Sequence, residues 1–191
     1  NFINSSIYKI KVLTQYKSES LNQHIARTWP TPPFQNQYVD LVPAQMRTGE
    51  EWYQGTADAI YQNLNLIYDE MPELVCVFGG DHIYKMDVAQ MLQYHHTKRA
   101  ELTIAAIPVP VDQASEFGVI QIDADYRVIG WQEKPRNPTE IPDRPGWALA
   151  SMGNYVFNRD TLVRELERDA AESGSKHDFG KNVVLSMVER D

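Results

Sequence analysis

The sequence predicts an α/β fold, a mixed and mainly parallel sheet with helices packed against it, and three observations predict it. Hydrophobic spacing alternates along the chain between a period of 2 and a period of 3.6, the signature of βα units. The run "ELVCVF" is apolar on both faces, as a central strand covered by helices on each side would be. A length of 191 residues suffices for one substantial core and little more, so the expected division is a single domain over 1–191.

The elements follow in order. A strand is expected over about 7–14 and a helix over about 18–28. The proline-rich loop "WPTPPFQNQ" leads to a short apolar piece, "YVDLV", and then to the loop "PAQMRTGEEWYQG". A helix should begin near Thr56, with Ala57, Ile60, Leu64, Ile67 and Met71 at three- and four-residue steps forming one buried stripe. After "ELVCVF" come a helix over about 86–98, the strand "ELTIAAIPV", the loop "DQASEFG" and a hairpin of "VIQID" with "VIGWQE". The proline-rich "RNPTEIPDRPG", a strand "ALASMGNYVF" and a helix over about 159–171 complete the pattern. The chain opens almost directly into a strand and stops within the helix-like "GKNVVLSMVERD", so it is expected to be part of a longer protein.

Composition narrows the function. A formal net charge of -8 with no basic run argues against nucleic acid as a partner. A small phosphorylated ligand needs only one or two local cations. No apolar stretch approaches the ~20 residues of a membrane span, so no membrane partner is expected. Cys76 is the single cysteine and lies inside an apolar run, which reads as a buried core thiol and fits a cytoplasmic location.

Four stretches could carry chemistry. In "WYQGTADAI", Gly55 and Thr56 stand at the mouth of a helix, where free amides can face a ligand or the pair can serve as an ordinary helix start. In "GGDHIYK", Asp81 follows the carboxyl end of a strand, the customary ligand address of open α/β sheets, where a carboxylate can hold Mg²⁺ alongside substrate phosphates. The two glycines before it would let the chain turn tightly, and His82 reads as a neighbour, not a ligand. In "EFGVIQID", Gly118 would let the backbone approach a sugar hydroxyl, or mark a bulge. In "WQEKPRNP", Lys134 suits a phosphate and Glu133 suits sugar hydroxyls, with a surface salt bridge as the competing use of the pair.

Taken in order, "TQYKSESLNQHI", "VDLVPAQ", "WYQGTADAI", "GGDHIYKMD", "IPVPVDQASEFGVI", "EKPRNP", "LASMGNYVF" and "SKHDFGKNVV" resemble the nucleotidyltransferase domain of the bacterial ADP-glucose pyrophosphorylases. The resemblance runs through nearly all of the chain. It implies a Rossmann-like, nucleotide-diphospho-sugar transferase fold, incomplete at both ends, in a homo-oligomer, a tetramer in the full-length protein. It further implies that ATP and glucose 1-phosphate are converted to ADP-glucose and pyrophosphate with Mg²⁺ as cofactor. Asp81 falls on the metal-binding catalytic aspartate. Tyr53, Gly118, Glu133, Lys134 and Ser151 fall on positions that hold glucose 1-phosphate, with Lys134 at its phosphate. Gln45, Gly55 and Thr56 fall on the nucleotide side, and Gln15 and Trp52 on positions that relay a regulatory signal, with packing as the alternative use of the tryptophan.

The chain also departs from that pattern. It has no glycine-rich "GGxGxRL" loop, no second metal-binding aspartate and no left-handed β-helix. Two other readings are a non-catalytic regulatory subunit, against which Asp81 and Lys134 argue, and a sugar-nucleotide-dependent glycosyltransferase, whose usual Asp-x-Asp pair is missing from "GGDHIY".

Overall fold

A computed structural model describes residues 1–29, 37–45 and 52–190. The middle of "WPTPPFQNQ" and most of "MRTGEEW" lie outside the described residues. Strands β1 (Lys9–Thr14) and β2 (Tyr38–Pro43) pair in parallel, Lys9 opposite Tyr38 through Thr14 opposite Pro43, with helix α1 (Glu19–Thr28) between them in sequence. The helix expected from Thr56 forms as two, α2 (Thr56–Tyr61) and α3 (Leu64–Glu70). Ala57, Leu64 and Ile67 are buried as the stripe requires, but Met71 is 58% exposed. The reason is local: Met71 ends α3 with φ +44, and Pro72 after it cannot continue a helix.

The remaining strands are β3 (Leu74–Phe78), β4 (Leu102–Pro110), β5 (Gly118–Ile122), β6 (Val128–Glu133) and β7 (Trp147–Asn158). Helix α4 (Val88–Lys98) joins β3 to β4, and α5 (Arg159–Ala171) follows β7. A π-helical turn over Phe179–Val184 runs into α6 (Leu185–Arg190).

The mixed α/β class holds, but among the described pairings only β1 with β2 is parallel. Strands β3 and β4 do run in the same direction, as a βα unit demands; they are separated by β7, which pairs antiparallel with both. Periodicity reports which face of a strand is buried and says nothing of its neighbour, so the inserted strand was invisible to it. For the same reason β3 is not the doubly covered central strand expected: among the described residues it pairs with β7 alone, and its five residues are half-buried. Cys76, on β3, is half-buried too, and burial pushes its thiol up to about 11, so it stays protonated and unreactive.

Strand β7 organises the molecule. One edge pairs with β4 along its whole length, from Leu102 opposite Phe157 to Pro110 opposite Trp147. The other edge takes β3 at 154–158 and β5 at 149–150. Tyr155 and Phe157 project from it into the main core with Leu162 and Leu166 of α5, Phe179, Val183, Val184, and Ala57, Leu64 and Ile67. The Tyr155 and Phe179 rings stack at 5.6 Å. Each fully buried side chain of this kind contributes on the order of 1.5–3 kcal/mol. On the α4 side, buried His95 joins Thr103 of β4 (2.8 Å) to Asn158 at the end of β7 (3.1 Å). Because Asn158 uses its amide nitrogen to donate to the Ala100 carbonyl, its oxygen accepts from His95 Nε2, which fixes the tautomer.

Candidate functional site

Between Asn154, where β3 leaves β7, and Ala150, where β5 joins it, the same edge of β7 has no strand partner among the described residues. Ser151, Met152 and Gly153 occupy this gap. On the opposite edge the register skips from Ala105–Asn154 to Ala106–Ser151, so the strand bulges there, with Gly153 at φ +66. A bulge re-aims side chains and frees backbone groups, and here it sits where two strands diverge.

Three of the expected residues line up across this gap. Val119 pairs with Ala150, which sets the next residues outward, Gly118 and Ser151, beside each other; Gly118 in turn pairs with Glu133 of β6. Lys134 follows Glu133 with φ +46, a left-handed conformation uncommon for a residue with a β-carbon, and its amide donates to the Phe117 carbonyl at 3.1 Å. Its ammonium makes no ion pair among the described residues. The Glu133–Lys134 salt bridge is therefore not formed: Glu133 lies 3.7 Å from Lys181 instead.

Tyr155 extends this cluster inward. Its hydroxyl hydrogen-bonds Ser151, and burial, reinforced by the charges of Asp178 and Glu133, pushes its pKa up to about 12, so it remains a neutral donor and acceptor. Tyr155, Asp178 and Lys181 were assigned no role from the sequence. The signal was present in "SKHDFGK", a loop dense in charge between two helices, and in the tyrosine of "ASMGNYVF".

Asp81 approaches the gap from β3. Its carboxylate is exposed and stands 3.6 Å from His82 Nε2, and the His82 ring lies within 3.7 Å of the place a β-carbon on Gly153 would take. The chain bends at Gly80 and Asp81, and neither Gly79 nor Gly80 has positive φ, so the bend does not call on the left-handed backbone that only glycine adopts freely.

Gly118 and Gly55 both stand where the chain packs too closely for a β-carbon. A β-carbon on Gly118 would fall 2.4 Å from Trp131 Cζ2. Gly118→Ala should therefore cost about 1–3 kcal/mol of stability through overpacking; an unchanged urea midpoint would remove the clash. A β-carbon on Gly55 would fall 2.2 Å from the His177 carbonyl oxygen. One amide at the mouth of α2 is taken within the chain, since Ala57 N donates to that carbonyl at 2.8 Å, and the Thr56 hydroxyl oxygen accepts from Phe179 N at 3.1 Å. The helix mouth is closed by the chain itself because the 176–179 segment packs directly on it.

Just before Gly55, Tyr53 donates its amide to Gln15 Oε1 at 2.7 Å, and its hydroxyl accepts from Asn63 at 2.8 Å. The structure thus ties Gln15 to the residue beside Trp52, which is itself 53% exposed. Gln45 is exposed two residues beyond β2. No cluster of three or more potential metal ligands occurs among the described residues. Nor is any of their helices long and apolar enough to cross a membrane.

The chain is similar to proteins named glucose-1-phosphate adenylyltransferase. It is 59% identical over 191 residues to that of Anaeromyxobacter sp. (strain Fw109-5) and 55% identical over 191 residues to that of Anaeromyxobacter dehalogenans. It is 50% identical over 190 residues to glucose-1-phosphate adenylyltransferase 1 of Vibrio cholerae. Each comparison covers 100% of this chain and 46–47% of the relative, so the chain spans about half the length of these curated relatives. The family model described as Nucleotidyl transferase matches residues 1–191, end to end, and with the strand-end aspartate, the gap in the edge of β7 and the row from Ser151 to Lys134 in place, the chain belongs to the nucleotidyl transferase family.

Proposed function

We propose that the protein of which this chain is a part transfers the adenylyl group of ATP to glucose 1-phosphate, giving ADP-glucose and pyrophosphate for glycogen synthesis. The observation that carries the reading is the gap on β7, where Gly118, Ser151, Glu133 and Lys134 stand in a row with Tyr155 beneath them. One cation, one carboxylate and neutral hydroxyls are the groups a sugar phosphate asks for.

In this reading Lys134 holds the substrate phosphate. Glu133, Ser151 and Tyr53 hold the sugar, and the backbone at Gly118 borders it. Gln45 and the segment around Gly55 and Thr56 face the adenine nucleotide. Ala57 N is bonded to the His177 carbonyl, so this amide of the α2 mouth serves the chain itself. Gln15 and Trp52 stay assigned to a regulatory relay, supported by the Gln15–Tyr53 hydrogen bond.

A phosphate oxygen of glucose 1-phosphate attacks the α-phosphorus of ATP, the bond to the β-phosphate breaks, and pyrophosphate leaves; no covalent enzyme intermediate is required. The residues align two anions in line, since such transfers ask little else of a protein. Asp81 fits a ligand of Mg²⁺, which is customarily held by one or two carboxylates with water and substrate phosphates filling the other positions. When bound, the ion supplies charge neutralisation. The whole protein is proposed to be a cytoplasmic homo-oligomer, a tetramer.

The test is synthesis by the full-length protein. ADP-glucose and pyrophosphate should form in equal amounts from ATP and glucose 1-phosphate with Mg²⁺, and much more slowly from other nucleoside triphosphates or hexose phosphates. Formation of a different sugar nucleotide, or none, would overturn the reading.

A further inference from the structure

The loop that closes α2 is held by a buried carboxylate that no role described above uses. Asp169, on α5, is 8% exposed; its Oδ1 accepts from Ser175 Oγ at 2.6 Å and its Oδ2 from His177 Nδ1 at 2.8 Å. The His177 amide donates to Ser175 Oγ at 3.0 Å, so the three side chains form one closed knot. His177 is thereby kept at φ +50, a left-handed conformation that a residue with a β-carbon adopts only when its surroundings impose it.

That conformation has two consequences in opposite directions along the chain. Backwards, the His177 carbonyl meets Ala57 N, and two residues later Phe179 N meets Thr56 Oγ1, so both bonds end on the first turn of α2. Forwards, Asp178 accepts from Lys181 N at 3.0 Å and places its charge near the Tyr155 hydroxyl, while Lys181 reaches Glu133. One loop therefore touches the proposed nucleotide side and the proposed sugar side.

We infer that Asp169 and His177 are positioning residues: their knot fixes the 176–181 backbone and so sets the two substrate sides relative to each other. The inference rests on the proposed adenylyltransferase reading for its kinetic arm only. It differs from plain loop anchoring in a definite way, since an anchor need not hold a left-handed histidine or bond to the start of a distant helix.

The test uses the full-length protein and three substitutions. His177→Ala removes the bond to Asp169 and should raise KM for glucose 1-phosphate and for ATP about tenfold or more, with kcat within about fivefold. His177→Asn should restore both constants to within about threefold, because an Asn amide nitrogen can stand where Nδ1 stood and Asn tolerates the left-handed region. His177→Gly accepts φ +50 freely yet lacks the bond, so it should behave as Ala does. In hydrogen exchange, the amides of Ala57 and Phe179 should quicken together in the Ala and Gly variants. A lower Tm with both KM values within twofold, wild-type behaviour of His177→Gly, or quickening of only one of the two amides would overturn the inference. The exchange arm reads the knot even if no ADP-glucose is made, so failure of the knot and failure of the proposed activity are told apart.

Discussion

In the full-length protein, Asp81→Asn should lower turnover by roughly 10²–10³ while leaving the KM for glucose 1-phosphate within a few-fold. The carboxylate's proposed contribution is to charge that builds up in the transition state, so its loss appears in kcat and little in ground-state binding. The structure makes the experiment clean. Asp81 has a side chain 86% exposed, and the His82 ring nitrogen lies 3.6 Å from its carboxylate. Exposed pairs of this kind contribute about 0–1 kcal/mol, so the variant should melt with the wild type. Parallel measurement of kcat, KM and Tm decides the matter: near-normal turnover removes Asp81 from the chemistry, and a collapsed Tm makes it structural.

Lys134→Ala should raise the KM for glucose 1-phosphate about ten- to a hundredfold and that for ATP much less. A phosphate that loses its cation loses a charge-assisted hydrogen bond of roughly 1.5–3 kcal/mol, which is that range of affinity. The left-handed backbone at Lys134 supplies a control. Alanine carries the same β-carbon and so leaves the backbone strain as it was, whereas Lys134→Gly removes strain and cation together. Both variants should show the same loss in glucose 1-phosphate KM if the ammonium is what matters. Recovery in the Gly variant would mean that backbone conformation matters, and equal effects on the two substrates would place Lys134 in the support of both.

Much of the fold was legible in the sequence because it rests on local rules. Arg159–Ala171 forms the helix its spacing gives, and Gly118–Ile122 pairs with Val128–Glu133 as the hairpin pattern requires. Partners distant in sequence were not legible. Nothing in "ELVCVF" tells that it will pair with residues 154–158, and nothing in "QGTADA" tells that His177 will lie 2.2 Å from where a Gly55 β-carbon would be. The glycines show the difference most plainly. A glycine marks a place where a side chain is not wanted, and only the fold shows whether a ligand, an indole or another stretch of backbone stands there. The row from Ser151 to Lys134 was legible residue by residue, but its adjacency follows from β7 joining three strands.

That last arrangement bears on how the protein is made. Among the described pairings, strands β3 and β4 depend on Trp147–Asn158 for a partner, and β3 waits for residues roughly 80 positions later. On a ribosome adding about 5–20 residues per second, β3 and β4 emerge seconds before the strand that will unite them, with their edges unpaired and their apolar faces open to other chains. The yield of soluble protein thus depends on how quickly one late segment docks, and a substitution in 147–158 that slows docking would deplete the protein during synthesis even where the finished molecule is sound.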